Sequence, residues 1–293
     1  MFKSIAQDIS SSFDYGNMVV KLIIINVAVF VLTALTEAFF PVFYMSNILP
    51  YIALPGDFMT LIYRPWTLIT HMFVHSGLWH LAWNMITLYW FGNIAGDLLG
   101  DRRILPVYIL GGLMGAVFYI VSFTFLSGIG VMALGASAAV LAVVFTAVSV
   151  APDYVVHLIL IGPVRIKYIG LIIFFIDLIG TRSGDNTGGH IAHLGGTLFG
   201  IFFVYLLRSG IDISKIFSAD KSKFIKSNRS PLYTKSKLKI AHKAETILKK
   251  IHPDTENKPI SLKVDEILDK IKSSGYDSLT AEEKEILYQA SKS

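Results

Sequence analysis

The chain has 293 residues, 53% of them hydrophobic and 16% charged, with a mean hydropathy of +0.58. A soluble domain is usually about 25% charged, so an ordinary soluble globule is excluded and a membrane protein is implied. The net charge of +5 is no nucleic-acid signal, because the basic residues concentrate after Arg208 among acidic ones; with no cysteine, disulfides and Cys-based metal sites are also excluded.

The opening stretch "MFKSIAQDISSSFDYGNMVV" does not read as a cleavable leader, because the apolar run starts late and is too long for one. It leads into an uncleaved first span. Six apolar segments follow in chain order, at 19–40, 78–96, 104–126, 133–151, 164–180 and 189–208. Each is near the roughly 20 residues that cross a bilayer. The stretch 41–77 is broken by Pro41, Pro50, Pro55 and Pro65 and reads as a structured outer loop lying partly in the interface. Trp66, Trp79 and Trp83 fit interfacial anchors or lipid-facing rings.

Past Arg208 the composition turns polar. Residues 1–18 are expected as a cytoplasmic N-terminus, 19–208 as the six-span core and 209–240 as a flexible basic linker. Residues 241–293 are expected as a small helical tail, with a break at Gly275 and a capping box starting at Thr280. Lys3, Lys21, Arg102, Arg103, Arg165, Lys167 and the basic tail fall on one side of the membrane. The positive-inside rule then predicts cytoplasmic termini.

Polar residues inside the spans carry the functional signal, since such groups are costly and face the bundle interior. In "HLAWN", His80 and Asn84 are i and i+4 and share a helix face. In "LGASAAVLAV", Ser137 is the one hydroxyl in an apolar run. In "HIAHLGGTLFG", Gly196 and Gly200 make a stripe against which the small residues of the fourth span can pack, bringing Ser137 within reach of His193. With a helical rise of about 1.5 Å per residue, His80, Asn84, Ser137, His190 and His193 all fall at similar depth near the outer ends of their spans. A neutral imidazole beside a serine hydroxyl is a nucleophile–base pair. Backbone N–H groups at a helix start, with His80 and Asn84, can hold an oxyanion.

The set "HLAWN", "GASA" and "AHLGGTLFG" on the second, fourth and sixth spans resembles the rhomboid family of intramembrane serine proteases, of bacterial type, with a bacterial cytoplasmic membrane as the expected location. The resemblance covers about residues 60–208 and includes "HMFVHSGLWHLAWN" with its repeated histidines. It implies an all-α six-transmembrane-helix bundle with a small helical cytoplasmic tail. It further implies Ser137 as nucleophile and His193 as base in a dyad without a carboxylate, with His80, Asn84 and the Ser137 N–H as oxyanion hole. Substrates would be single-span membrane proteins cut near the outer end of their span, with water reaching the dyad from outside and no cofactor or metal needed. Two residues depart from the family pattern: Ala138 stands where Gly is usual, and Leu141 where an aromatic ring often stacks on the histidine.

Other residues have plainer readings. His193 has glycines at +3 and +7 and His190 does not, so His193 takes the base role and His190 lines the water entrance. Asp177, near the outer end of the fifth span, is expected to hydrogen-bond a neighbouring helix or loop, with orientation of a histidine as the alternative. His71 and His75 lack the glutamate of H-E-x-x-H and read as structural. The "GGLMG" of the third span is a packing stripe. The alternative function is a protease-dead rhomboid-like protein that binds and escorts transmembrane helices. A transporter would show charged mid-membrane residues and repeated halves, and neither is evident.

Overall fold

The computed structural model describes residues 11–13, 16–126, 129–158, 161–182, 184, 186–217, 267–271 and 278–290. Contacts divide the chain into two units, Met1–Ser227 and Asn228–Ser293. In the first unit six helices occupy the six apolar segments: α1 (Met18–Phe39), α2 (Leu78–Leu99), α3 (Ile104–Phe125), α4 (Ser137–Val150), α5 (Ile166–Gly180) and α6 (Thr187–Arg208). Their ends have local causes. Asn17 caps α1 by accepting from the Val20 N–H at 3.0 Å. Gly100, at φ 93°, ends α2.

Met18–Phe39, Asp101–Phe125 and Thr187–Arg208 are long and apolar enough to cross a membrane. Helix α4 is apolar but has only 14 residues. At about 1.5 Å per residue it is shorter than a bilayer core of about 30 Å. The segment expected at 133–151 loses its first residues because Met132–Ala133 form a strand, β2, and Gly135 takes φ 131°.

Helix α4 is the centre of the core, buried from Ala138 through Ala147. Small residues allow this on two sides at once. Gly111 and Gly115 of α3 lie against the methyls of Ala142 and Ala138. Gly196 and Gly200 of α6 lie against the carbonyl oxygens of the same two alanines. A Cβ at any of the four glycines would overlap these atoms, so backbones approach where larger residues would hold them apart. The "GGLMG" stripe thus does the packing expected of it. It also explains Ala138, whose methyl fills the space that Gly115 leaves.

The exterior is apolar: Trp79 and Trp83 of α2 and Ile172, Phe175, Ile176 and Ile179 of α5 are all exposed. Such a surface fits lipid rather than water. Residues 41–77 form short helical turns, Pro41–Phe43, Leu49–Ile52, Phe58–Tyr63 and Thr67–Thr70, separated by strand β1 (Leu54–Pro55). Strand β1 pairs antiparallel with β2, Leu54 opposite Ala133. Between α4 and α5, where the sequence suggested only a connection, Val155–Leu158 and Gly162–Arg165 pair as a hairpin, β3–β4. Its "GP" turn signal and β-branched run were readable in retrospect.

In the second unit, helix α7 (Ala281–Ala290) begins with the expected capping box. The Thr280 N–H donates to Glu283 Oε2 at 2.7 Å and the Glu283 N–H to Thr280 Oγ1 at 3.3 Å. Lys270 Nζ reaches Glu283 Oε1 at 2.8 Å. The expected break at Gly275 and most of the expected linker 209–240 lie outside the described residues.

Candidate active site

The nucleophile position is built by a loop, not by its helix alone. Ser137 is the first residue of α4 and follows an extended segment held at four points. Strand β2 pairs with β1, Gly56 N–H donates to Val131 O at 3.0 Å, and Gly135 N–H donates to His71 O at 2.9 Å. Tyr119 OH also donates to Gly130 O. At φ 131° Gly135 adopts a backbone that side chains rarely take, and a Cβ there would strike the His80 ring. Glycine therefore lets His80 lie directly beside the serine.

Ser137 Oγ lies 2.6 Å from His193 Nε2, and His193 Nδ1 lies 2.7 Å from Asp177 Oδ1. His190 Nδ1 reaches the same Oδ1 at 2.9 Å. An ionised carboxylate only accepts, so both imidazoles donate through Nδ1–H. That assignment leaves the His193 Nε2 lone pair to accept the serine O–H. Asp177 is 4% exposed, so its charge is stabilised chiefly by these two N–H donors. Asp177 thus bonds a neighbouring helix, as expected, and does so in the way named as its alternative, on a histidine, where the resemblance implied a pair without a carboxylate. Asp177 and His193 lie on consecutive helices, and the packing of α5 against α6 brings them together.

His80 and Asn84 come from the face predicted for them. Ser76 Oγ lies 3.1 Å from His80 Nδ1; in the tautomer in which the serine O–H donates, the opposite ring nitrogen, beside Gly135 and Ser137, is an N–H donor. One Asn84 Nδ2 hydrogen is used on His80 O at 2.8 Å and the second is left over. As the first residues of a helix, Ser137 and Ala138 have N–H groups without intrahelical partners. Ser76 was missed in the sequence, although its i−4 spacing from His80 could have found it.

A cavity of about 690 Å³ connects these groups, lined by Ser76, His80, Trp83, Asn84, Ser137, Leu141, Ile173, Ile176, Asp177, Asn186 and His193 among others. It is walled by α2 and α5 on its sides and holds one charged side chain, Asp177, among its lining residues. Leu141 lines it where an aromatic ring is absent, and the ring beside His193 is instead that of His190, edge-on with centroids 5.8 Å apart. Among the described residues, Asp177, His190 and His193 also form a cluster whose potential metal-ligand atoms lie within 4.8 Å of one another.

His71 and His75 are buried, as a structural role requires. His71 Nδ1 donates to Thr67 O at 2.7 Å and its carbonyl anchors Gly135. His75 packs edge-on against His80 with centroids 5.1 Å apart. Burial pushes the pKa of both loop histidines down to about 4, so both are neutral near pH 7.

Residues 63–210 match the Rhomboid domain family, and residues 261–293 match a family of unknown function, DUF6576. The chain is 31% identical over 143 residues to RHOMBOID-like protein 12, mitochondrial, of Arabidopsis thaliana, covering 44% of this chain and 43% of that protein. It is 28% identical over 149 residues to the presenilin-associated rhomboid-like protein, mitochondrial, of Homo sapiens, covering 45% and 35%. With Rhomboid protein 1, mitochondrial, of Saccharomyces cerevisiae it shares 24% over 201 residues, 67% of this chain and 55% of that one. The chain thus spans about a third to a half of the length of the curated relatives it matches. These relatives are mitochondrial, which overturns the expectation of a bacterial cytoplasmic membrane. Lys/Arg asymmetry ranks the two faces of a membrane but says nothing of which membrane it is.

Proposed function

The chain belongs to the rhomboid family, and from that premise we propose that it is an intramembrane serine endopeptidase cutting single-span membrane proteins. In this reading all six helices, α1 to α6, cross the membrane within the core 19–208. Helix α4 need not match the bilayer by itself because it is enclosed by its neighbours. The observation that carries the proposal is the continuous line from Ser137 Oγ through both nitrogens of His193 to Asp177 Oδ1, at 2.6 and 2.7 Å.

Ser137 Oγ attacks the scissile carbonyl carbon as its proton passes to His193 Nε2. The imidazolium so formed is stabilised by Asp177, which also holds the ring in the productive tautomer. Charge developing on the carbonyl oxygen is met by the Ser137 N–H, the free His80 N–H and the second Asn84 N–H. His193 returns its proton to the leaving amine, leaving an acyl-enzyme. Water from the cavity then gives its proton to His193 and attacks the ester, releasing the new carboxyl terminus. The Ser, His and carboxylate ends of α4, α6 and α5 meet at one end of the bundle, so cleavage is expected near one end of the substrate span, the end away from the basic connections.

The escort reading would be favoured by loss of the serine or the base, and both are present and in contact. The deciding experiment is incubation of the purified full chain in detergent with a model single-span substrate, products being identified by mass spectrometry. Ser137→Ala and His193→Ala should each abolish cleavage while retaining a folded protein, since each removes half of an interdependent pair. Cleavage that persists in Ser137→Ala would overturn the proposal.

A further inference from the structure

Cleavage as proposed needs one histidine on Asp177, yet the structure supplies two. His190 and His193, three residues apart on α6, both point Nδ1 at Oδ1 of Asp177 on the facing helix α5. Side chains of the two histidines keep 22% and 19% of their exposure, and Asp177 and His193 line the open cavity, so a small cation has an entry path. That cavity has no lysine or arginine among its lining residues to repel one.

We propose that Asp177, His190 and His193 form a reversible inhibitory site for a divalent transition-metal cation of the zinc type. The donor set is two imidazole nitrogens and one carboxylate oxygen, all within 4.8 Å of one another. Three such ligands with a fourth position open to water is a common zinc arrangement, with metal–nitrogen distances of about 2.0–2.1 Å. Tetrahedral donors at that radius sit about 3.3 Å apart. The present nitrogen–oxygen separations of 2.7 and 2.9 Å therefore need to open by about half an ångström, and the two Nδ1 atoms, now within 4.8 Å of each other, must settle at the same spacing, which rotation of the partly exposed His190 ring can supply. Imidazole and carboxylate ligands suit zinc, cobalt and nickel better than they suit magnesium or calcium, which prefer oxygen alone.

The chemical consequence follows from the tautomer. A metal bound at His193 Nδ1 takes the lone pair there, so the proton that Nδ1 carried moves through water to Nε2. No proton is gained or lost. Nε2–H now faces Ser137 Oγ as a donor and can no longer accept the serine proton. The base is lost without any change in the fold, and a chelator restores it.

Inhibition rests on the protease reading above, whereas metal binding does not, and the test separates the two. The full chain carrying Ser137→Ala, which keeps all three ligands, is titrated with cobalt(II) as a spectroscopic probe for zinc. One cobalt per chain with visible ligand-field bands, displaced by zinc, is expected. Adding His190→Gln keeps an amide that can donate to Asp177 but removes a strong ligand, and should weaken binding by about tenfold or more. In the active chain, zinc should suppress substrate cleavage and EDTA restore it. The residual activity of His190→Gln alone, whatever its level, should need about tenfold or more zinc for half-inhibition. Absence of a stoichiometric cobalt spectrum, or a spectrum and a zinc sensitivity unchanged by His190→Gln, would overturn the proposal. A chain without protease activity that still binds cobalt through His190 would defeat the protease reading and leave the metal site standing.

Discussion

Helices α4 and α5 are nearly the same length, 14 and 15 residues, and each carries one member of the candidate site, yet they are held in opposite ways. Along α4 every residue from Ala138 to Ala147 is buried, so Ser137 sits on an element locked by glycine-mediated backbone contact on two sides. Along α5 only Ile166, Gly170, Asp177 and Gly180 are buried; Ile169, Ile173 and Phe174 are half-buried against the core, and most other apolar side chains are exposed. The nucleophile is thus placed by packing. The carboxylate is placed by what its own oxygen accepts. A residue on a tightly packed helix is sensitive to volume anywhere along that helix, whereas one on a loosely packed helix is sensitive mainly to its direct partners.

The strongest test of this contrast is Gly196→Val. Its Cβ would overlap the carbonyl oxygen of Ala138, and backbone cannot give way as a flexible side chain can. Since proton transfer needs oxygen and nitrogen within about 3 Å, cleavage should fall below detection, with reduced yield of folded protein. Full activity would show that α4 and α6 are not in the close contact that places Ser137 by His193.

Asp177→Asn tests the other half. The amide retains a hydrogen-bond acceptor but loses the charge that stabilises the imidazolium, and kcat should drop on the order of a thousandfold. Ile172→Ala, outward on the same helix, should change cleavage and stability little. Equal losses in the two variants would mean that α5 acts through its packing after all.

A smaller effect is expected beyond both helices. His80→Ala and Asn84→Ala should each lower kcat by about tenfold to a thousandfold, the range for losing one oxyanion donor, with KM nearly unchanged. Loss confined to KM would assign them to substrate binding instead.

The smallest effect concerns the loop that positions the start of α4. His71 titrates at about 4 in the folded chain against 6.5 when free. As pH falls below 6.5 the unfolded chain takes up the proton first, so stability is full above that value and declines down to about pH 4. The loss amounts to about 3 kcal/mol at most. Thermal unfolding in detergent between pH 7.5 and 4.5 should show this slope, and His71→Gln should make it shallower. An identical slope in both proteins would remove His71 as its source.

Much of the architecture was legible in the residues themselves. Apolar run length predicted where the six helices lie, though not the late start of α4, because the cost of leaving backbone groups unpaired in an apolar surrounding makes helices the default there. The i, i+4 spacing of His80 and Asn84, the glycines after His193 and the Thr280–Glu283 capping pair are local patterns, and local geometry follows from them. Ser137 and His193 could be paired because small residues on both helices announce a close approach. What only the tertiary structure decided depends on how separate elements meet. The pairing of β1 with β2, which holds the turn before Ser137, leaves no periodic signature in strands this short. The union of Asp177 with two histidines rests on how α5 is rotated against α6, and a lone carboxylate in an apolar run carries no record of which neighbour it will face. Spacing along one helix is a property of the chain, but the rotation of one helix against another is set by the summed packing of all the others.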